Sequence, residues 1–299
     1  MIQLLVEIPT TFSNGFEDRF MEMEVLSWTI REDRIRRRLD LIGYFDTERD
    51  GLESYQSIRA SFPNLPETPA VSPVLDRDWK NAYKDHFHPW RADGLHWVPT
   101  WLRDSYPIPQ GDKAVYLDPG MAFGTGNHET TRLCALRLVE AAQDWADSLP
   151  RRTVIDAGCG SGILAISAAR MGFGNVSGFD IDLAAVLIAK ENALDNGLSA
   201  NVELSTSGLE QGLDGKSADL VMANILANVL IQNAERLLKA VLPGGRLVLS
   251  GILAREIDEV KAAFEPKARA LWSACDMRSR IDCEWADIQL SRPSHNLVP

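Results

Sequence analysis

Alternating apolar and polar positions predict a small α+β domain at the N-terminal end of the chain. Four strand-like segments are QLLVEIP, SWTI, LDLIGYF and the proline-containing PAVSPVL, and two segments with helical spacing of apolar residues are SNGFEDRFMEMEVL and GLESYQSIRASF. Their order along the chain, β-α-β-β-α-β, is typical of a ferredoxin-like fold. We therefore expect a ferredoxin-like domain over residues 1–75.

A second pattern begins near residue 94, where short apolar runs alternate with longer helical segments. A strand, KAVYL, is followed by the strands VIDA, NVSGFD, ANVELS, ADLVMAN and GGRLVLSGI and by a terminal antiparallel pair, ARALWSACD and EWADIQLS. The intervening helices include TTRLCALRLVEAA, LAAVLIAKENALDNG, VLIQNAERLLKAVL and LAREIDEVKAAF. This order predicts an α/β domain over 94–299, with a doubly wound, mostly parallel sheet of seven strands, after a linker at 76–93.

The most informative segment of this domain is VIDAGCGSGILAIS. An apolar strand that carries Asp156 is followed by a turn with Gly158, Gly160 and Gly162, and Ile163–Met171 then has the pattern of a helix. Glycines allow the backbone to pass close to a ligand. The next strand ends at Asp180, where a carboxylate can accept hydrogen bonds from the hydroxyls of a ribose.

The spacing of the glycines distinguishes between nucleotide cofactors. The dinucleotide fingerprint has its third glycine where this chain has Ile163, so a nicotinamide oxidoreductase is disfavoured. S-adenosylmethionine contains no pyrophosphate, and the pattern D-x-G-x-G-x-G with an acid about 20 residues further on resembles the methyltransferases that use it. We therefore expect S-adenosyl-L-methionine as the cofactor.

Charge and composition exclude several other classes. The formal net charge of −11 argues against a large polyanion as the main partner, and we expect no sequence-specific nucleic-acid binding. One basic run, Arg34 to Arg38, lies among acidic residues, which indicates a solvent-exposed strand edge or helix face. Contact with RNA is the alternative interpretation.

Membrane, metal and disulfide patterns are weak in this chain. No apolar stretch reaches the roughly 18–20 residues needed to cross a bilayer, and the first residues lack the basic segment of a signal peptide. The four cysteines contain no C-x-x-C pair, and His86 and His88 have no third ligand nearby in the sequence. We expect a cytoplasmic, monomeric protein with reduced thiols, no metal and no membrane partner.

Five segments, LDPGMAFGTGNHETT, VIDAGCGSGILAIS, FDID, ANIL and LPGGRLVLSGIL, resemble the PrmA family, which methylates protein eleven of the large ribosomal subunit. The resemblance covers roughly residues 75–290. It implies a seven-strand Rossmann-like methyltransferase core with a separate N-terminal domain for substrate recognition. It also implies transfer of methyl groups from S-adenosyl-L-methionine to lysine side chains and the N-terminal α-amine of that ribosomal protein, with S-adenosylhomocysteine as product.

The resemblance also implies a set of cofactor-binding residues. Eight residues of this sequence correspond to the family's cofactor contacts, to the turn glycine beside them or to the matching loop: Phe123, Gly126, His128, Thr131, Gly158, Gly160, Asp180 and Asn224. The loop reads NHET at 127–130 where the family often reads THPT, so the changed residues Asn127 and Glu129 alter the detail of its contacts. Thr130 or Asn127 is the expected N-cap of the helix that follows.

Methyl transfer to an amine requires the neutral amine, since only that form has a free lone pair. Keeping a lysine neutral at pH 7 costs roughly 4–5 kcal/mol, and a nearby carboxylate would increase this cost. Asn224 offers a neutral amide that can accept from the amine or hold the cofactor, so we predict that Asn224 is the catalytic residue. We expect catalysis by proximity and orientation without a dedicated base, and a structural role for His128 in the loop.

Two other functions remain compatible with the sequence. A related lysine methyltransferase that acts on a different protein would have the same motifs, and a non-catalytic S-adenosylmethionine-binding or ribosome-assembly module would share the core. Methyltransferases of amides and nucleic-acid bases typically have N-P-P-Y after the fourth strand. This chain reads ANIL there and lacks the aromatic residue of that motif.

Overall fold

The computed structural model describes residues 2–8, 28–33, 38–73, 88–117 and 128–294, and the chain divides into two compact units, 1–86 and 87–299. The second unit begins earlier than the predicted residue 94, because a strand over Trp90–Ala92 belongs to it. The predicted linker at 76–93 is therefore too long at its C-terminal end, and its part up to residue 87 lies outside the described residues.

The first unit contains a four-stranded antiparallel sheet and one described helix. Its elements are β1 (Ile2–Ile8), β2 (Trp28–Asp33), β3 (Arg38–Phe45), α1 (Glu48–Ser61) and β4 (Ala70–Pro73). The strand order is β2-β3-β1-β4, and every neighbouring pair is antiparallel, as in the expected ferredoxin-like fold. The helix predicted between β1 and β2 lies outside the described residues, so the complete assignment stays a prediction.

The described part of the first unit has its own hydrophobic core. Alternate side chains of β1 point inward and pack with residues of β2, β3 and α1, namely Leu4, Val6, Ile8, Trp28, Leu41, Tyr55 and Ile58. Helix α1 begins at an N-cap threonine, since the Thr47 hydroxyl accepts from the backbone N–H of Asp50. The segment GLESYQSIRASF is thus helical, as its periodicity predicts.

The second unit is built on a seven-stranded sheet. Its strands are β8 (Thr153–Ala157), β9 (Asn175–Asp180), β10 (Val202–Thr206), β11 (Ala218–Asn224), β12 (Val241–Leu253), β13 (Asp276–Asp282) and β14 (Trp285–Ser291). The spatial order is β10-β9-β8-β11-β12-β14-β13, with β14 antiparallel to both neighbours and the other pairs parallel. The predicted doubly wound sheet is confirmed.

Helices cover both faces of this sheet. They are α2 (Glu129–Trp145), α3 (Ile163–Met171), α4 (Leu183–Asp195), α5 (Leu209–Leu213), α6 (Ala227–Gln232), α7 (Ala234–Lys239) and α8 (Ile257–Trp272). Successive strand residues enter opposite cores: Val154 belongs to the core that includes residues of α2, α3 and α4, and Ile155 to the core that includes residues of α6, α7 and α8. This burial on both faces explains the continuous apolar runs of the strands.

A smaller three-stranded sheet precedes the main one in the chain. It consists of β5 (Trp90–Ala92), β6 (Leu95–Pro99) and β7 (Lys113–Leu117), in that order. The predicted strand KAVYL is β7, which pairs in parallel with β6. Short 3₁₀ turns occur at Thr100–Leu102, Ala146–Arg151 and Ala254–Glu256. Within the described ranges, no helix combines the length and apolar character needed to cross a bilayer.

The prediction of a strand over ARALWSACD, residues 268–276, is wrong. Helix α8 continues through Pro266 to Trp272, and the strand begins only at Asp276. The reason is a buried stripe with a spacing of four residues that packs against the sheet and prolongs the helix: Val260, Phe264, Ala268 and Trp272.

Candidate cofactor-binding site

Three polar residues meet at the carboxyl edge of the main sheet. Asp156 lies near the end of β8, Asp180 is the last residue of β9 and Asn224 is the last residue of β11. β8 lies between β9 and β11, so the three side chains follow one another along the edge. Open α/β sheets bind ligands at this position, outside the carboxyl ends of the strands.

The turn after β8 requires its glycines. Gly158, Gly160 and Gly162 have φ of 78°, 51° and 78°, in the left-handed region that favours glycine. A Cβ on Gly158 would lie 2.4 Å from Ile225 Cγ2. Backbone atoms of the turn therefore line the pocket with no side chain in front of them. The turn leads directly into α3, whose predicted bounds, 163–171, are confirmed.

Asp180 joins the tip of β9 to this turn. Its Oδ2 accepts from the backbone N–H of Gly160 at 2.9 Å, and its Oδ1 accepts from the backbone N–H of Asp182 at 3.0 Å. An ionised carboxylate has about four acceptor positions, so two remain for hydroxyl groups of a ligand. The geometry fits the predicted contact with a ribose.

Asn224 and Thr131 are brought together although they lie 93 residues apart in the sequence. Asn224 Nδ2 lies 3.4 Å from Thr131 Oγ1, and both residues are buried. Asn224 Oδ1 is buried and has no hydrogen-bond partner among the described residues. A buried acceptor without a partner is costly, so this oxygen is suited to an N–H group of a ligand.

A small pocket of about 20 Å³ lies beside these strand ends. Its lining contains polar groups and apolar side chains: Thr131, Asp156, Gly158, Cys159, Gly160, Ile163, Leu164 and Asn224. Asp156 and Asn224 supply acceptors in the pocket beside the apolar side chains of Ile163 and Leu164. Asp180 lies at the adjoining tip of β9, next to Gly160. Among the described residues, no group of histidine, cysteine, aspartate and glutamate side chains is arranged to hold a metal ion.

Asp156 is a site residue to which the sequence pattern alone assigns no role. Its Oδ2 accepts from the backbone N–H of Ala165 at 3.1 Å, and its Oδ1 is buried without a partner among the described residues. Burial raises the pKa of this carboxyl to about 7, and the negative charge of Asp180 adds to the increase. The available signal is an acidic residue inside an otherwise apolar strand, directly before the glycine turn.

His128 has a structural contact that the sequence pattern does not predict. It is the N-cap of α2: its Nδ1 accepts from the backbone N–H of Thr130 at 3.4 Å, so the expected N-cap at Thr130 is wrong. Its ring also lies edge-on to Trp285, with centroids 4.9 Å apart. The alternative N-cap Asn127 lies outside the described residues, as do the predicted cofactor contacts Phe123 and Gly126.

Comparisons with known proteins agree with this geometry. A family model described as ribosomal protein L11 methyltransferase (PrmA) matches residues 7–293. A ribosomal protein L11 methyltransferase from Azotobacter vinelandii is 38% identical over 88% of this chain and 91% of its own length. One from Geotalea daltonii is 36% identical over 97% of this chain and 94% of its own.

A solved structure supports the same relationship. The ribosomal protein L11 methylase of Lactobacillus delbrueckii subsp. bulgaricus is 31% identical, with a TM-score of 0.59, and the match covers 69% of this chain and 100% of that one. Sequence similarity thus extends over most of the chain, and the range matched by the family model, 7–293, includes the glycine turn and the strand ends beside the pocket. The chain belongs to the ribosomal protein L11 methyltransferase (PrmA) family, whose members are S-adenosylmethionine-dependent protein methyltransferases.

Proposed function

We propose that this protein transfers methyl groups from S-adenosylmethionine to amines of ribosomal protein L11, both lysine side chains and the N-terminal α-amine. The observation that carries this proposal is the neutral Asn224 side chain at the carboxyl end of β11. It is held beside Thr131 and presents a buried oxygen without a partner among the described residues. Family membership supplies the substrate, and the site supports an amine as the group modified.

Asn224 suits an amine because it has no charge. When bound, S-adenosylmethionine supplies an electrophilic methyl group on a sulfonium. Asn224 Oδ1 accepts an N–H of the neutral amine and directs its lone pair towards that methyl group. A carboxylate at this position would stabilise the ammonium form, whose nitrogen has no lone pair to react. The residue therefore acts by orientation, and burial of the site favours the uncharged amine.

The remaining predicted residues hold the cofactor. Asp180 accepts the ribose hydroxyls, the backbone at Gly158 and Gly160 passes close to the cofactor, and Thr131 contacts its amino-acid end. We propose that Phe123, Gly126 and His128, in the sequence before and at the start of α2, also contact the cofactor. In this proposal His128 fixes the start of α2, which carries Thr131, and does not remove a proton from the amine.

Residues 1–75 form the module that recognises the substrate. Their described part has a hydrophobic core of its own. The net charge of −11 favours association with a lysine-bearing surface. We propose that the protein acts in the cytoplasm as a monomer, on ribosomal protein L11 either free or on the ribosome.

All four cysteines fall in the described ranges, and each is a free thiol.

Intact-mass spectrometry of purified ribosomal protein L11 tests this function. After incubation with the protein and S-adenosylmethionine, we expect mass gains in steps of one methylene unit. Asp180→Ala should abolish them, and the matched control Asp182→Asn should retain them, because asparagine is an equally good N-cap for α4. Cofactor binding without any mass gain would contradict L11 as the substrate and favour a related methyltransferase of another protein.

A further inference from the structure

A polar side chain of α4 reaches the glycine turn from a neighbouring helix. Asn192, near the end of α4, is 4% exposed, and its Nδ2 donates to the backbone carbonyl of Ser161 at 2.9 Å. Two other inward-facing residues of α4, Ala189 and Ala193, are apolar and belong to the core. A buried amide among apolar residues is costly unless it is hydrogen-bonded, so the bond to the turn stabilises an asparagine at this position.

The peptide unit between Ser161 and Gly162 is held at both of its polar ends. Its carbonyl accepts from Asn192, and its N–H, which belongs to Gly162, donates to the Cys159 carbonyl at 2.8 Å. A Cβ on Gly162 would lie 2.9 Å from the Cβ of Ala189. The turn therefore lies directly against α4, and rotation of this peptide unit would break two hydrogen bonds.

Helix α4 is itself held at its C-terminal end. The side-chain amide of Asn196, the C-cap of α4, accepts from the backbone N–H of Tyr116 at 2.8 Å and donates to the Tyr116 carbonyl at 2.6 Å. The same Nδ2 donates to the backbone carbonyl of Asn192 at 2.8 Å. These bonds join α4 to β7, so the side chain of Asn192 meets the turn from a fixed helix.

Asn192 acts on the turn and not on the pocket. The described residues that line the pocket include Gly158, Cys159 and Gly160 of the turn, but not Asn192. Glycines have many accessible backbone conformations, and ordering them is costly. Only the fraction of molecules with a correctly formed turn binds the ligand, so a bond that fixes the turn in advance raises the observed affinity.

We propose that Asn192 is a positioning residue for the cofactor: its hydrogen bond to Ser161 keeps the glycine turn in the conformation that receives S-adenosylmethionine before the cofactor binds. Asn192 touches neither the cofactor nor the amine and takes no part in methyl transfer. The proposal rests on the proposed cofactor site and adds a residue of α4 that prepares it.

Binding and turnover of Asn192→Ala test this role. We expect the Kd for S-adenosylmethionine and for S-adenosylhomocysteine, measured by titration calorimetry, to rise about tenfold, because the native turn is less populated. The turnover number at saturating cofactor should stay within about twofold of the wild type, because Asn224 and Thr131 are unchanged. A higher KM for the cofactor with an unchanged kcat is a split that a general loss of folded protein does not produce.

Two further variants separate the hydrogen bond from packing and from stability. Asn192→Leu keeps the branching and most of the volume of the side chain but has no donor, so it should weaken binding as much as Asn192→Ala. The matched control Asn233→Ala removes the same type of bond, from Asn233 Nδ2 to the Val229 carbonyl at 2.9 Å, between α6 and α7 in the opposite core. It should lower stability in urea and leave the Kd for the cofactor unchanged.

Hydrogen exchange of the cofactor-free wild type needs no variant, so it decides whether the turn is preformed even if the variants do not fold. The Gly162 N–H should exchange about as slowly as that of Ile166, which donates to the Gly162 carbonyl at the start of α3. Exchange of Gly162 at the rate of an exposed loop would overturn the proposal.

The affinities provide the other decisive outcomes. Wild-type affinity in Asn192→Leu, or equal weakening in Asn233→Ala, would show that packing or stability, and not the bond to Ser161, is the cause. No binding of S-adenosylmethionine by the wild type would contradict the cofactor itself, and with it this proposal. Wild-type affinity in both Asn192 variants contradicts only the role of Asn192.

Discussion

The Asp180 carboxylate accepts a hydrogen bond from the backbone N–H of Gly160 at 2.9 Å, which connects the tip of β9 to the glycine turn after β8. The same side chain accepts from the backbone N–H of Asp182, at the start of α4. One carboxylate thus holds together three segments and still has acceptor positions for a ligand. The shape of the turn and the binding of the cofactor therefore depend on the same residue.

Asp180→Ala is expected to weaken S-adenosylmethionine binding by about a hundredfold or more, because charge-assisted hydrogen bonds to two hydroxyls and the support of the turn are lost together. Asp180→Asn keeps an acceptor oxygen and should fall between this variant and the wild type. Titration calorimetry measures both. Affinity of Asp180→Ala equal to that of the wild type would rule out Asp180 as the ribose contact.

Asn224→Ala is expected to lower the turnover number by about a hundredfold or more while the fold is retained, because the amine is no longer oriented. Asn224→Asp keeps an acceptor of the same shape but adds a negative charge, which stabilises the ammonium form of the substrate. Its activity should therefore be reduced at neutral pH and recover partly as the pH rises. A pH profile of Asn224→Asp that coincides with that of the wild type would contradict this role.

His128→Ala should retain a measurable share of activity and lose about 0.5–1 kcal/mol of folding free energy, because it removes the N-cap of α2. His128→Asn restores a good N-cap and should recover the stability in chemical denaturation. An inactive His128→Ala that still binds the cofactor would instead identify this histidine as a base.

Gly158→Ala should destabilise the protein by at least about 2 kcal/mol, because alanine is strained at a φ of 78° and its Cβ would lie 2.4 Å from Ile225 Cγ2. Gly197→Ala is a matched control: Gly197 has a φ of 66°, but a Cβ there meets nothing within 4 Å. It should cost only about 1 kcal/mol.

A double variant separates the backbone strain of alanine at position 158 from the steric clash of its Cβ with Ile225. Ile225→Ala opens space beside Gly158, so it should recover part of the stability lost by Gly158→Ala and leave Gly197→Ala unchanged. Denaturant titration of the single and double variants gives the coupling energy. A coupling energy of zero at Gly158 would show that the contact with Ile225 is relieved by other means.

The stability of the cofactor-free protein should depend on pH through Asp156. The folded-state pKa, about 7, is above the unfolded value of about 4, so between these values the folded state binds more protons. The contribution of this group therefore falls as the pH rises towards 7 and is constant above it. The stability of Asp156→Asn relative to the wild type should increase by roughly 2–3 kcal/mol between pH 5 and pH 8. Urea denaturation at several pH values measures this difference, and a constant difference would contradict it.

Local sequence features account for much of the site. Gly158 and Gly162 have positive φ, a backbone conformation that glycine adopts readily and other residues avoid. The glycine pattern alone therefore predicts the turn and the start of α3. Asp180 and Asn224 come at the ends of apolar runs, and parallel strands place their carboxyl ends at one edge. The edge residues could therefore be predicted before any contact was known.

Features that depend on competition between distant partners could not be predicted in this way. The end of α8 was misplaced because Pro266 is usually a stop signal and ARALWSACD also alternates like a strand, whereas burial of Phe264 and Trp272 extends the helix. The N-cap at His128 depends on a side-chain rotamer and on contact with Trp285, which is 157 residues away in the sequence.

The sequence by itself determined the parallel α/β core, the glycine turn and the acidic and amide residues at the strand ends, because these follow from short-range conformational preferences and from periodicity. Only the tertiary structure decided that Asn224 meets Thr131 and that one oxygen of Asp156 stays without a partner in the described part of the chain. The protonation of Asp156 depends on burial and on the charge of Asp180. Both arise only when separate strands pack side by side, which no local pattern encodes.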